Sequence, residues 1–377
     1  MISTVIFLSI IVVYVLALGI MIQGSRKLNV YQPQSSEFKT GFTIIIPFRN
    51  EASNLGKLLA SIKGLKYPVD HFEIILVNDN SDDDFLEIIT NFQSKNENLN
   101  LLLIHAEKKP ASPKKEAITK AIEQSRFEWI ITTDADCIVP SGWLNAFSGF
   151  IENSSYKLIA GPVLFNHGNT LCSNFQYLDL LGLQTLTTGG FGWNCPFLCS
   201  GANLAYSKSF FKEVNGFEGN TDIASGDDLF LLNKAISTDH KAVGFMKSED
   251  VLVHSKPAGS WTDLIHQRIR WATKTRRVGS KLGTFTTLIG LLTNLTLVAA
   301  LILVFSGKLT WLYFIVGLLL KMGIDFLLIR ESANLYNKRI PWFSYLLSSI
   351  IYPVFVLFIF VRSWSPSYHW KGRKFKV

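Results

Sequence analysis

The sequence contains no internal repeat, no low-complexity tract and no glycine-rich phosphate loop. A stacked-repeat architecture is therefore excluded, and a phosphate cradle of P-loop type is absent. Cysteine is scarce: Cys137, Cys172, Cys195 and Cys199 are the four present. In a cytoplasmic domain they are expected to be reduced thiols. Cys195 and Cys199 could supply two zinc ligands, but a structural zinc site needs four. The first apolar run also lacks the marks of a cleavable secretory signal, a positive start and a small-residue cleavage site. Its positive residues, Arg26 and Lys27, come after it instead.

Apolar sequence, by contrast, is abundant. The mean hydropathy is positive, +0.24, which is unusual for a water-soluble chain and points to membrane spans. Residues 5–22 form an uninterrupted run of about 18 residues, enough to cross a bilayer. Further runs cover 288–305, 309–329 and 343–361. Ser306-Gly307-Lys308 joins the first two of these as a helical hairpin. Arg276, Arg277 and Lys281 precede the hairpin; Arg330, Lys338 and Arg339 follow it. The positive-inside rule then places the block after residue 27, and both ends of the hairpin, in the cytoplasm. Lys321 and Asp325 lie inside the second run at i,i+4. They either pair with each other or serve a function in the bundle interior. The last run conflicts with the rule, because one more crossing would carry Lys371, Arg373, Lys374 and Lys376 outside. Pro353 permits a kinked, re-entrant or interfacial helix instead. Much of the net charge of +8 flanks these runs, where anionic lipid attracts it. The charge is read as membrane contact, with no nucleic-acid partner.

Between residues 38 and 282 strands and helices alternate. Residues 42–47 read as a buried strand stopped by Pro47. Residues 50–54 cap a helix carrying Leu55, Leu58, Leu59 and Ile62. Strand 72–77, helix 85–92, strand 101–105, helix 115–124 and a strand starting at Trp129 follow. This order predicts an α/β domain with a mainly parallel central sheet and helices on both faces. Sites in such sheets lie at the carboxyl ends of strands, where Pro47, Arg49, Asp79, Asp134 and Asp136 fall. Asp134-Ala135-Asp136 places two carboxylates on one face of an extended chain. It can be a seat for a hard divalent ion carrying a phosphate, or a turn in which Asp caps the next helix. Ser225-Gly226-Asp227-Asp228 opens an apolar helix, where an acid is often only a cap favoured by the dipole. Gln267-Arg268-Ile269-Arg270-Trp271 lies just before the hairpin; a basic helix with a tryptophan anchor at the membrane edge is one account of it.

Taken in order, these clusters resemble the membrane-bound family 2 glycosyltransferases of the GT-A fold, the group of cellulose, chitin and hyaluronan synthases. Ceramide glucosyltransferases are similar. The resemblance rests on Ile46-Pro47-Phe48-Arg49-Asn50-Glu51, Asp79, Lys115, Asp134-Ala135-Asp136, residues 201–206, Gly226-Asp227-Asp228 and Gln267-x-x-Arg270-Trp271. It covers residues 41 to 277. It implies that Pro47, Arg49, Glu51, Asp79, Lys115, Asp134 and Asp136 bind the donor nucleotide. Asp136 would hold Mg²⁺ or Mn²⁺ on the diphosphate, and Asp134 would mainly hold the nucleoside. Asp228 would be the general base, with Asp227 beside it. Gln267, Arg270 and Trp271 would meet diphosphate and acceptor. Arg268 occupies a variable position of the motif, and His254 is either an extra metal ligand or a structural histidine.

The expected organisation is a transmembrane anchor at 1–27 and a cytoplasmic GT-A domain at 38–282. Transmembrane or interfacial helices at 284–362 and a basic tail at 363–377 complete it. The expected activity is inverting transfer from a nucleotide-sugar, a UDP-sugar for preference, to a growing polysaccharide or glycolipid at the cytoplasmic membrane face, in contact with membrane lipids. The alternative is a single addition to a lipid acceptor of ceramide or polyprenyl type. A non-catalytic membrane scaffold or transporter is a remote third reading.

Overall fold

The computed structural model describes residues 2–33, 39–106, 113–219, 226–364, 367–370 and 373–376. Ser225 and Lys371 lie outside these segments, as do the side chains of Arg276, Arg277, Arg373, Lys374 and Lys376. The chain enters through helix α1 (Ile2–Lys27). Then follow β1 (Phe42–Phe48), α2 (Ala52–Lys63), β2 (Phe72–Asn78), α3 (Phe85–Ser94), β3 (Leu101–His105), α4 (Pro113–Gln124) and β4 (Trp129–Thr132). Strand β1 pairs in parallel with β2 and β4, and β2 with β3. Every residue of β2 is buried, as is all of β1 except Pro47. Both faces of a parallel sheet are covered, so its strands read as continuous apolar runs.

The second half comprises α5 (Trp143–Glu152), β5 (Leu158–Ala160), β6 (Val163–Phe165), α6 (Leu171–Gly192), β7 (Leu204–Ser207), α7 (Lys208–Glu213), α8 (Asp227–Thr238), β8 (Val243–Phe245), β9 (Val253–Ser255) and α9 (Trp261–Val278). The sheet order is β3-β2-β1-β4-β7-β5-β8. Only β7 runs antiparallel to its neighbours, β4 and β5. Strands β6 and β9 form a separate parallel pair. Alternate residues of β1 feed two apolar layers. Ile44 and Ile46 meet α2, α3 and α5 on one face; Ile45 meets α4, α7 and α8 on the other.

The loops after β1 and β2 interlock. Asn50 and Asn80 are both left-handed, with φ of 51°. The Asn50 amide donates to Ser81 Oγ at 2.9 Å, and the Asp82 amide donates to Asn50 Oδ1 at 2.8 Å. The expected local cap of α2 is corrected: Glu51 makes no side-chain cap bond. Asp83 caps the helix from the neighbouring loop instead, accepting from the Ala52 amide at 2.7 Å. A carboxylate at a helix start is favoured wherever in the chain it comes from.

Helices α10 (Lys281–Phe305), α11 (Trp311–Leu335) and α12 (Trp342–Arg362) follow, then the strand pair β10 (Ser367–Trp370) and β11 (Arg373–Lys376). With α1, these three helices are long and apolar enough to cross a membrane. Their outward faces are apolar and bare, as at Ile302, Phe343 and Val354. Pro353 lies within α12.

Helix α6 joins the two halves, and the sequence did not single it out. It packs on α1, α11 and α12 and is buried on nearly every side. At its crossing with α1, a Cβ on Gly192 would lie 1.8 Å from the Gly24 carbonyl, and one on Gly189 would lie 2.4 Å from the Met21 carbonyl. Only glycine permits that approach. Small hydroxyls bind the remaining turns: Thr185 donates to the Leu328 carbonyl at 2.8 Å, and Thr188 to Ser25 at 2.9 Å.

Lys321 and Asp325 pair on α11 at 2.6 Å, and Tyr14 of α1 donates to the other oxygen of Asp325 at 2.7 Å. Lys321 is fully buried. Breaking a buried pair by removing one partner costs about 3–5 kcal/mol, whereas replacing both with apolar residues is often neutral. Asp325→Leu alone should lower the melting temperature in detergent sharply, and Lys321→Leu with Asp325→Leu should restore most of it.

Candidate active site

Five carboxylates converge at the carboxyl edge of the sheet. Asp79 follows β2 and is buried, its amide donating to the Phe48 carbonyl at 2.8 Å. Arg49 crosses from the β1 end and donates to the Asp79 carbonyl at 2.8 Å and to that of Asn80. Arg49 therefore fixes the backbone that carries Asp79. Asp134 and Asp136 follow β4. Asp227 and Asp228 begin α8, where Gly226 turns with φ of 89°, a left-handed angle that glycine takes without strain.

One cavity of about 920 Å³ is lined by Pro47, Arg49, Glu51, Asp79, Asp134, Asp136, Asp227, Asp228, Gln267, Arg270 and Trp271. Lys115 is the exception among the residues expected there. It is buried, with its ammonium 4.7 Å from the Phe230 ring. The preceding residue, Lys114, lines the cavity instead. Its Nζ lies 3.0 Å from Asp134 Oδ1 and 3.2 Å from Asp227 Oδ2. Burial alone would lower its pKa. Asp134 and Asp227 outweigh that and hold it well above the ordinary lysine value, so the group is an ammonium throughout the physiological range. A signal existed in the sequence: Lys115 stands at i−3 and i−7 from Ile118 and Ile122, on the buried stripe of α4.

Asp228 is oriented through both oxygens. Oδ2 accepts from the Gly201 amide at 3.2 Å, and Oδ1 from the Leu229 amide at 2.7 Å. A Cβ on Gly201 would come within 3.0 Å of Asp227 Oδ2, so the loop before β7 closes tightly on the acid pair. Asn203 anchors that loop: its Nδ2 donates to the Pro162 and Val251 carbonyls, and its Oδ1 accepts from Trp143.

Away from the acids the cavity continues as a mainly apolar limb between α6, α9, α10 and α12, lined by Leu180, Leu183, Leu288, Leu291, Phe355 and Ile359, with Gln184, Thr187, Thr284 and Thr287 also on its walls. Trp271 lines the same cavity, with the Arg268 guanidinium 4.1 Å from its ring centroid. Arg268 is buried and paired with Asp179 of α6 at 2.7 Å; the Tyr352 hydroxyl of α12 donates to Asp179 at 3.1 Å. Sequence reasoning passed over this trio. A lone acid between Leu178 and Leu180, in a helix of mostly uncharged residues, was the available signal.

His254 does not line the cavity. It borders a separate pocket of about 200 Å³ with Glu249 and Lys338, and burial, then Lys338, hold its pKa below the ordinary histidine value. Among the described residues no three His, Cys, Asp or Glu side chains are grouped to hold a metal ion. The cavity offers hard carboxylate oxygens, which suit Mg²⁺ or Mn²⁺. Such ions are commonly held by one or two carboxylates, with phosphate oxygens and water completing the shell. The residues therefore fit an ion that arrives with a phosphorylated ligand.

Over 96% of this chain and 98% of the other, the fold matches the mannosyltransferase PcManGT of Pyrobaculum calidifontis, solved with GDP-Man and Mn²⁺, at a TM-score of 0.61 and 15% identity. The fold is that of the GT-A glycosyltransferases. The Glycosyl transferase family 21 profile matches residues 7–377, and the chain belongs to this family. Curated relatives include the poly-beta-1,6-N-acetyl-D-glucosamine synthase of Staphylococcus epidermidis, 26% identical over 239 residues, 62% of this chain and 54% of that protein. The probable glycosyltransferase YdaM of Bacillus subtilis is 24% identical over 237 residues, 61% of this chain and 54% of that protein. The chain thus spans about half the length of these relatives.

Lys114→Met would leave Asp134 and Asp227 facing each other without their shared cation. The two carboxylates then repel each other, so the variant should lose stability, and added salt, which screens charges at the exposed edge, should return part of it. The expected deficit in thermal melts is about 1–3 kcal/mol at low salt, shrinking as salt is added. A deficit independent of salt would show that Lys114 does not screen these acids.

Proposed function

We propose that the protein is an inverting glycosyltransferase that moves one sugar from a nucleoside-diphosphate sugar to a hydroxyl of a membrane lipid. The observation that carries this reading is the continuity of the cavity. Its acid-lined end meets an apolar limb whose walls include Leu288 and Leu291 of α10 and Phe355 and Ile359 of α12. Both helices are long and apolar enough to span a bilayer. An aliphatic limb suits an acyl or prenyl chain, because burying apolar surface is favourable in proportion to area.

In this reading Asp79 meets the nucleobase or ribose, with Arg49 holding the loop beneath it and Pro47 and Glu51 completing the wall. Asp134 faces the nucleoside. Asp136 is the carboxylate that would hold Mg²⁺ or Mn²⁺. The bound ion supplies neutralisation of the charge that develops on the departing diphosphate. Lys114 and Arg270 add fixed positive charge to the same region, a role given to Lys115 on sequence grounds. Asp228 takes the proton of the acceptor hydroxyl. Its two backbone contacts aim the carboxylate, and Asp227 is held beside it by Lys114. Attack from the side opposite the diphosphate inverts the anomeric carbon. The basic residues beside the spans support a cytoplasmic face for the block 38–282, between an anchor at 1–27 and the helices at 284–362, with the basic tail at 363–377.

A second reading, extension of a polysaccharide, is supported by the printed function of the staphylococcal relative. Product length separates the two. Purified protein in detergent with labelled UDP- or GDP-sugar and a lipid acceptor should yield a single added sugar even under donor excess. A ladder of products would overturn the single-transfer reading.

Asp228→Asn should reduce transfer by about 10²–10⁴-fold while nucleotide affinity, measured by calorimetry, stays within a few-fold. Normal turnover would remove Asp228 as the base. Asp136→Ala should abolish the Mn²⁺-dependent part of nucleotide binding; unchanged binding would remove its ligand role.

A further inference from the structure

Arg268 touches two residues of the motif in which it has no assigned part. Its Nη1 donates to Gln267 Oε1 at 3.4 Å, and its guanidinium lies 4.1 Å from the centroid of the Trp271 ring. Spacing of i,i+3 puts Arg268 and Trp271 on one face of α9. The guanidinium is buried, and its Nε has no hydrogen-bond partner among the described residues. Leaving a charged donor unmet in the interior is costly, which argues that the group is kept there for its position. That position is set from outside α9. Asp179 of α6 meets Arg268 at 2.7 Å, with both side chains at most 10% exposed. Tyr352 of α12 holds the other oxygen of Asp179 at 3.1 Å. Tyr352 is itself placed beside the Lys321 ammonium, 5.2 Å from its ring centroid, and so beside the pair on α11. Asp179, Arg268, Trp271 and Tyr352 all line the cavity where its apolar limb begins.

We propose that Asp179 and Tyr352, acting through Arg268, are positioning residues that set the plane of Trp271 and the width of the apolar limb, and so determine how the acceptor is held. This assignment rests on the lipid-acceptor reading above. The Arg268 guanidinium lies over one face of Trp271, so that face is closed to an acceptor. Because the trio ties α6, α9 and α12 together, it also holds the α12 wall of the limb at a fixed distance from Trp271. The donor end, around Asp79 and Asp136, lies on other elements, and Arg270 of α9, two residues from Arg268, leaves the helix on another side. Loss of the clamp should therefore fall on the acceptor and spare the donor.

The test uses full-length protein in detergent with Asp179→Asn, the milder Tyr352→Phe, and Asp179→Glu. Asp179→Asn should raise the acceptor KM at least about ten-fold, since a misplacement of about 1 Å can cost up to about 10²-fold. The donor KM should change by less than about two-fold. Tyr352→Phe should show the same split, smaller, and Asp179→Glu should recover part of the loss by keeping a carboxylate opposite Arg268. Donor and acceptor constants worsening together would mark a merely structural role and overturn the proposal, as would no change in either. Equilibrium binding of a fluorescent long-chain alcohol requires no turnover and separates the two failures. If the wild type transfers no sugar to lipid, the functional reading is lost. Weaker probe binding by Asp179→Asn would then still support the clamp, and unchanged binding would overturn it.

Discussion

Five carboxylates share one wall of the cavity, and like charges at such distances repel. Lys114 answers that constraint by standing between Asp134 of the β4 loop and Asp227 at the start of α8. These two acids are far apart in the chain and are brought to the same edge by β4 and α8. Their mutual attraction to one ammonium closes the edge, and the rest of the site is arranged around that closure. Asp228 can then be aimed by the Gly201 and Leu229 amides, and Asp136 lines the same cavity beside it.

A second constraint is mechanical. The α/β block and the long apolar helices form one body because α6 belongs to both. The near-contact of Gly24 with Gly192 lets α6 and α1 cross closely, and α6 in turn seats α11 and α12. This seating puts the limb of the cavity against the same helices that present apolar faces outward. Asp179 is on α6 for the same reason: it is the point where a helix of the catalytic block reaches α9 and α12 together.

Local periodicity made much of this legible. Strands β1, β2 and β3 and helices α2 and α3 lie within a residue or two of their expected places, because a two-sided sheet demands continuous apolar strands and its covering helices demand a stripe. The strand-end acids were legible because parallel sheets gather polar residues at one edge. The cap of α2 was not, because Asp83 reaches Ala52 across a loop and no local pattern records it. The two lysines at 114 and 115 were distinguishable in principle by the buried stripe of α4. Resemblance to a motif favoured one, and the geometry of the helix turned the other toward the acids.

The sequence by itself determined the alternation of strands and helices, the apolar runs, and the gathering of Asp79, Asp134 and Asp136 at strand ends, while Asp227 and Asp228 joined them only through the family resemblance. Each follows from hydrophobic period or from the chemistry of short motifs, which neighbouring residues carry. Only the tertiary structure decided which lysine faces the acids, that α6 docks among the long apolar helices, and that Asp179, Arg268 and Tyr352 meet beside Trp271. Those outcomes depend on contacts between residues up to 173 positions apart, as for Tyr352 and Asp179. No local pattern specifies such contacts, because they are set by how whole helices pack.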